Sequence, residues 1–245
     1  MREEATRVHL IGAAGAGMVA LAHLLLDRGA RVTATDRTPG AAAARLRERG
    51  VDLRAGGAAA SLPEDVERVV HSLAVPDDDP QRAAARARGV PDVSYPEAAA
   101  ALLAERRGVG IAGTHGKTTT SAMVAHGLRR AGAEPSWLVG GEAPDRGRPG
   151  GAGDGDLLVV AACEYRSSFL RYRLALGVVL NVEADHLDWF GTEAAVEEAF
   201  REFAARAESL VIGAAAATRL GPRGRGRSST RTFALDGAAD VRAAG

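Results

Sequence analysis

Gly113-Thr114-His115-Gly116-Lys117-Thr118-Thr119-Thr120 follows the apolar run Val109-Gly110-Ile111-Ala112 and leads into the helix-forming segment Ser121–Arg130. A glycine-rich loop between a strand and a helix cradles phosphate. Glycines let the backbone turn tightly and present N–H groups to the anion, and the helix N-terminus adds partial positive charge. Lys117 adds a full charge, and Thr118 is placed to offer its hydroxyl to a phosphate-bound Mg²⁺. The strict pattern G-x-x-x-x-G-K-[ST] is missed at one place, since Ile111 stands where its first glycine belongs. The plain reading, a turn with a solvated lysine, leaves the strand–loop–helix context without a purpose. Lys117 is read as an exposed loop residue with little stake in stability.

Outward from this loop, the chain alternates strand-like and helix-like segments. Arg7–Ile11, Arg31–Thr35, Val66–Leu73 and Val90–Ser94 read as strands, with helices at Met18–Leu26, Ala41–Arg49, Gln81–Arg88 and Pro96–Arg106. Beyond it come strands at Gly108–Ala112, Trp137–Val139, Asp156–Ala162, Ala175–Val182, Ser209–Ile212 and Arg231–Leu235. Thr192 caps a helix to about Ala205, with Phe200 and Phe203 on its apolar side. Gly140–Gly155 and Leu220–Thr230 read as polar loops, the second carrying Arg223, Arg225 and Arg227. This alternation implies an α/β fold of parallel units with ligands at the strands' C-terminal ends. The predicted organisation is a Rossmann-like parallel-sheet domain over 1–107, followed by a P-loop ATPase-type α/β domain over 108–245.

Composition narrows the class. In 245 residues, Lys+Arg and Asp+Glu both number 31, giving formal net charge zero and no general attraction to nucleic acid or anionic membrane. One cysteine, Cys163, allows no intrachain disulfide and fits a reducing compartment. The opening Met1-Arg2-Glu3-Glu4 lacks the apolar core of a signal peptide, and no apolar run reaches a membrane span. A soluble cytoplasmic protein is expected.

Two further clusters carry chemistry. Gly12-x-x-Gly15-x-Gly17 differs in spacing from the dinucleotide fingerprint but offers similar physics, backbone approach to a diphosphate at a helix N-terminus. Asp36, closing the second strand, can accept from a ribose or base. Alone, this cluster fits a dehydrogenase, a nucleotide-sugar binder or a structural tight turn. Asn181-Val-Glu183-Ala-Asp185-His186-Leu-Asp188 follows a strand and supplies metal-competent groups near the phosphate loop. His186 can join Thr118 on a divalent ion, and Glu164 is a further candidate ligand. His9, His23, His71 and His126 are read as packing or surface residues.

Four runs together resemble the Mur ligases of peptidoglycan synthesis: His9-Leu-Ile-Gly-Ala-Ala-Gly-Ala-Gly-Met18, Ile111-Ala-Gly-Thr-His-Gly-Lys-Thr-Thr-Thr120, Ala162-Cys-Glu-Tyr-Arg-Ser-Ser-Phe-Leu170 and Asn181-Val-Glu-Ala-Asp-His-Leu-Asp188. Within the family, the likeness is strongest to members that attach an amino acid directly to UDP-N-acetylmuramate. The resemblance implies ATP and Mg²⁺ as cofactors, UDP-N-acetylmuramate as ligand, and an amide formed through an acyl phosphate. It implies Gly12, Gly15, Gly17, Asp36 and Ser72 for the UDP-sugar, with His115 near that substrate. Gly113, Thr114, Gly116, Lys117, Thr118 and Thr119 would hold ATP. Lys117 and His186 would be catalytic, and Thr118, His186 and Glu164 would serve the metal.

Two departures accompany the likeness. Ala161 stands at the family's metal-binding glutamate position, and Ala214-Ala215-Ala216 replaces the usual Asp-Asp-Pro. Glu164 lies three residues beyond 161, which in an extended strand is ~10 Å away on the opposite face. The family's amino-acid-binding domain is also expected to be missing, leaving a fragment, a split enzyme partnered by a separate C-terminal-domain chain, or a degenerate UDP-sugar- and ATP-binding protein without catalysis. A nicotinamide-dependent oxidoreductase is the remote alternative, because it leaves the Gly113–Thr120 loop unexplained.

Overall fold

The computed structural model of the chain describes residues 6–141, 147–224 and 226–242. Arg225, in the arginine-bearing loop, lies outside them. In chain order the elements are β1 (Arg7–Ile11), α1 (Ala16–Asp27), β2 (Arg31–Asp36), α2 (Gly40–Glu48), β3 (Asp52–Ala55), β4 (Arg68–His71), α3 (Pro80–Ala87), β5 (Asp92–Ser94) and α4 (Tyr95–Ala104). They continue with β6 (Arg107–Ala112), α5 (Lys117–Arg130), β7 (Ser136–Leu138), β8 (Gly150–Gly151), β9 (Leu157–Ala161), β10 (Leu174–Val179), α6 (Leu187–Phe190), α7 (Glu193–Arg206), β11 (Ala207–Gly213), α8 (Ala214–Leu220), β12 (Ser229–Ala234) and β13 (Val241–Arg242).

The chain divides into two compact units: residues up to Ala99 with Ser136–Asp154, and Ala100–Pro135 with Gly155 onward. A single cut after 107 does not describe this division, because 136–154 returns to the first unit. In that unit the sheet runs β3-β2-β1-β4-β5, all parallel. α1 is buried from Met18 through Leu24, which its nearly unbroken apolar sequence demands. The antiparallel pair β7–β8 packs on it. Gly150 is required there, since a Cβ would sit 2.2 Å from the Ala20 carbonyl oxygen. Asp27, ending α1, ties the segment down by accepting from Arg148, from the Ala152 N–H and from Arg49. Burial of Asp27 pushes its carboxyl up, but those hydrogen bonds outweigh it and hold the carboxyl below its usual range.

In the second unit parallel strands run β13-β12-β11-β10-β6-β9. Phe169 stacks on Phe203 with ring centroids 5.0 Å apart and meets Phe200 edge-on at 5.3 Å, filling the space between α7 and the sheet. Thr192 caps α7 by accepting from the Ala195 N–H. Several elements differ from the sequence reading. β3 and α8 were not expected, and part of the Gly140–Gly155 loop is strand β8. α5 begins at Lys117, four residues earlier than the propensities of three threonines suggest.

His9, His23 and His71 are buried, as packing residues should be. Burial first, and then Arg54 for His9 and Arg49 for His23, lowers both imidazoles to about 4. The unfolded chain, at 6.5, binds these protons more readily than the folded one. Stability is therefore fully present above pH 6.5 and falls as pH drops toward 4, by about 3 kcal/mol for His9. Urea midpoints measured between pH 7 and 4 are expected to fall through that window; a flat profile would contradict it. Among the described residues, no helix is long and apolar enough to cross a membrane.

Candidate functional site

The phosphate loop bridges β6 and α5 in the second unit. Gly113 has φ +151° and Gly116 has φ +81°, conformations that side chains resist. A Cβ at Gly113 would also crowd Leu180 Cβ at 3.0 Å. The loop is strapped to the chain after β10. The His115 N–H donates to Asn181 Oδ1 at 2.8 Å, Asn181 Nδ2 donates to the His115 carbonyl at 3.1 Å, and the Glu183 N–H donates to Thr114 Oγ1 at 2.9 Å. Gly116 caps α5 without a side-chain hydrogen bond. The first-turn amides of Lys117, Thr118 and Thr119 thus have no partner within the helix. Thr118 and Thr119 are exposed, as an anion site at this helix start requires.

Lys117 is not the free loop lysine the sequence suggests. Its ammonium donates to the Gly113 carbonyl at 2.5 Å, the Thr114 carbonyl at 3.0 Å and Glu164 Oε1 at 2.9 Å. Those three acceptors use all three protons. Glu164 Oε2, also 2.9 Å from the ammonium, therefore receives charge but no hydrogen bond. Glu164 is only 2 % exposed. The strand geometry invoked against it does not apply, because β9 ends at Ala161. The chain then enters a tight 3₁₀ segment in which Arg166 and Ser167 adopt left-handed φ of 51° and 54°. Glu164 itself has left the strand, with φ −75° and ψ −21°, and its carboxylate meets Lys117.

Glu164, Asp185 and His186 bring their ligating atoms within 4.8 Å of one another. His186 Nε2 lies 3.9 Å from Glu164 Oε1, its backbone is left-handed at φ 51°, and the Tyr165 ring sits 5.1 Å from it. Two carboxylates with one imidazole suit a divalent cation that retains several waters. The Glu164 oxygen on the His186 side is Oε1, which also accepts from Lys117. Ala161 adds no donor to this group. His115 stays on this loop, largely exposed, with Nε2 3.6 Å from Glu183 Oε2.

The first unit holds a separate cleft of about 230 Å³ at the C-terminal ends of β1, β2 and β4. Gly12, Gly15, Asp36 and Ser72 line it, together with Thr35, Arg37 and Asp79, which the sequence reading did not select. The loops after successive strands of a parallel sheet were the available signal. Gly12 needs its left-handed φ of +75° and leaves a Cβ only 3.0 Å from Ser72 Cβ. Asp36 holds the loop, accepting from the Ala14 N–H at 2.8 Å and the Thr38 N–H at 2.7 Å. Gly17 is not part of the lining. A Cβ there would meet the Tyr95 ring at 2.8 Å, so this glycine serves helix packing. Arg82, paired with Asp92, donates to the Pro76 carbonyl and steadies the loop after β4.

The family model described as Mur ligase family, catalytic domain, matches residues 7–107, which carry the first glycine loop. A UDP-N-acetylmuramate–L-alanine ligase of Symbiobacterium thermophilum is 45% identical over 82% of this chain and 42% of its own length. That of Kineococcus radiotolerans is 44% identical over 96% of this chain and 52% of its own. The chain thus spans about half the length of the curated relatives it matches. Among solved structures, UDP-N-acetylmuramate:L-alanyl-gamma-D-glutamyl-meso-diaminopimelate ligase from Neisseria meningitides superposes with a TM-score of 0.83 at 26% identity, covering 94% of this chain and 78% of its own. UDP-N-acetylmuramate-alanine ligase from Thermotoga maritima gives 0.79 at 25% identity, over 93% and 52%. With both glycine loops, the parallel sheets and these relatives in agreement, the chain belongs to the Mur ligase family.

Proposed function

We propose that this chain carries the UDP-sugar-binding and ATP-binding parts of an ATP-dependent ligase that joins L-alanine to UDP-N-acetylmuramate in peptidoglycan precursor synthesis. The observation that carries the reading is Lys117 at an uncapped helix N-terminus, facing the buried Glu164. Gly12, Gly15 and Ser72 would receive the UDP part, and Gly113 through Thr119 the ATP phosphates. In the reaction, the muramyl carboxylate takes the terminal phosphoryl group of ATP, releasing ADP. The amine of the amino acid then attacks the acyl carbon and phosphate leaves.

The chain's own groups act by positioning and charge, which supply most of the catalysis in phosphoryl transfer. Lys117 exchanges its carbonyl acceptors for phosphate oxygens, and the first-turn amides of α5 fix the anion's orientation. Glu164, His186 and Asp185, with Thr118 on the helix start, would hold Mg²⁺, which supplies neutralisation of phosphate charge when bound.

Separate calorimetric titrations with UDP-N-acetylmuramate and with ATP, each with and without Mg²⁺, test this reading. Both ligands are expected to bind, ATP more tightly with Mg²⁺. Failure of ATP to bind under either condition overturns the ligase reading. A second reading, a non-catalytic binder derived from a ligase, is favoured by Ala161 and the alanines at 214–216. It expects tight binding of the UDP compound with no Mg²⁺ dependence at the second loop.

A further inference from the structure

Beneath the first cleft lies a chain of buried polar side chains, of which only Thr35 reaches the cleft lining. His9 on β1 and Gln81 in the first turn of α3 are 1% and 0% exposed. The Thr35 hydroxyl donates to Gln81 Oε1 at 2.6 Å. The Gln81 amide is left to donate to His9 Nε2, 3.1 Å away. His9 Nε2 also lies 3.3 Å from Thr35 Oγ1, and Nδ1 lies 2.8 Å from Thr33 Oγ1. Burial favours the neutral imidazole within this network.

The consequence is felt one layer up. The Thr35 carbonyl accepts from both the Gly12 and Ala13 N–H groups, and the next residue, Asp36, accepts from the Ala14 N–H. Three consecutive amides of the glycine loop therefore hang from two consecutive residues at the end of β2. Gln81, gripping Thr35, follows two residues after Asp79, which caps α3 and lines the cleft. A purely apolar filling would serve packing as well and would avoid the cost of satisfying three buried polar side chains.

We infer that His9 and Gln81 are positioning residues, fixing Thr35 and through it the glycine loop in the conformation that receives a nucleoside diphosphate. The inference rests on reading this cleft as the UDP-sugar site. Its test compares Gln81→Met, Thr35→Val and Thr35→Ser with the wild-type chain, measuring affinity for UDP, affinity for ATP and the thermal midpoint. Gln81→Met and Thr35→Val are expected to weaken UDP binding by about tenfold or more. Thr35→Ser, which keeps the hydroxyl, returns to within about twofold, and ATP affinity stays unchanged throughout.

A lowered midpoint with unchanged UDP affinity overturns the inference, because the network would then serve packing alone. Equal losses of UDP and ATP affinity overturn it too, as general damage. Thr35→Val removes one hydroxyl at nearly constant volume, so the comparison stands even if Gln81→Met does not fold. A wild-type chain that does not bind UDP overturns the reading of the cleft itself, and with it this inference, before any variant is compared.

Discussion

Lys117→Ala is expected to abolish measurable ATP binding and, in the same step, to lower the stability of the chain by about 3–5 kcal/mol. The two effects have different origins. Losing a cation that meets phosphate oxygens removes charge-assisted hydrogen bonds and weakens binding on the order of 100-fold or more. The stability loss comes from Glu164, whose carboxylate is 2 % exposed and has the Lys117 ammonium at 2.9 Å from both oxygens. Removing one member of a buried ion pair leaves the other charge desolvated without compensation. Pairing Lys117→Met with Glu164→Gln separates the effects. The double variant is expected to recover most of the lost stability, because no uncompensated charge remains, while ATP binding stays absent. Urea midpoints and ATP titrations of Lys117→Ala and of the double variant check this; a wild-type midpoint in Lys117→Ala would show that the pair carries no weight.

That ion pair was not legible in the sequence, and the reason is physical. Counting three residues from Ala161 to Glu164 assumes that the strand continues. It stops at Ala161, and by Glu164 the backbone is helical, at φ −75° and ψ −21°. The phosphate loop was legible, because Gly113, Gly116 and Lys117 have few alternative uses in that order. The strands β1, β2, β6 and β10 were legible from their apolar runs. β3 was not, since Asp52-Leu-Arg-Ala buries only Leu53 at the edge of its sheet. Gly17, expected at the UDP part, also needs its missing side chain for a reason the local sequence hides, since a Cβ there would meet Tyr95, far along the chain. The return of 136–154 to the first unit depends on Asp27, Arg148 and Gly150 meeting across more than a hundred residues, a pairing that no local pattern records. Local chemistry could be read; long-range partners could not.

Gly15→Val is expected to remove UDP-sugar binding while leaving fold and ATP binding intact. Gly15 caps α1 with φ −64° and ψ 140°, an extended conformation that a β-branched residue adopts without strain. A Cβ there meets only Gly12 O at 3.7 Å and Met18 Cγ at 3.9 Å, ordinary contacts, so the stability cost should stay within about 0.5 kcal/mol. The added methyl groups must then occupy space that the 230 Å³ cleft leaves to its ligand, where backbone has to approach phosphate. A loss of about 100-fold or more in affinity for UDP-N-acetylmuramate follows if the diphosphate lies against this turn. Gly12→Ala would be a poorer probe. It combines a left-handed φ of +75° with 3.0 Å contacts to Ser72 and Val75, so a loss of binding there could not be told from a damaged loop. Normal UDP-sugar affinity in Gly15→Val, with the thermal midpoint unchanged, would place the diphosphate elsewhere and leave the glycine turn a purely structural device.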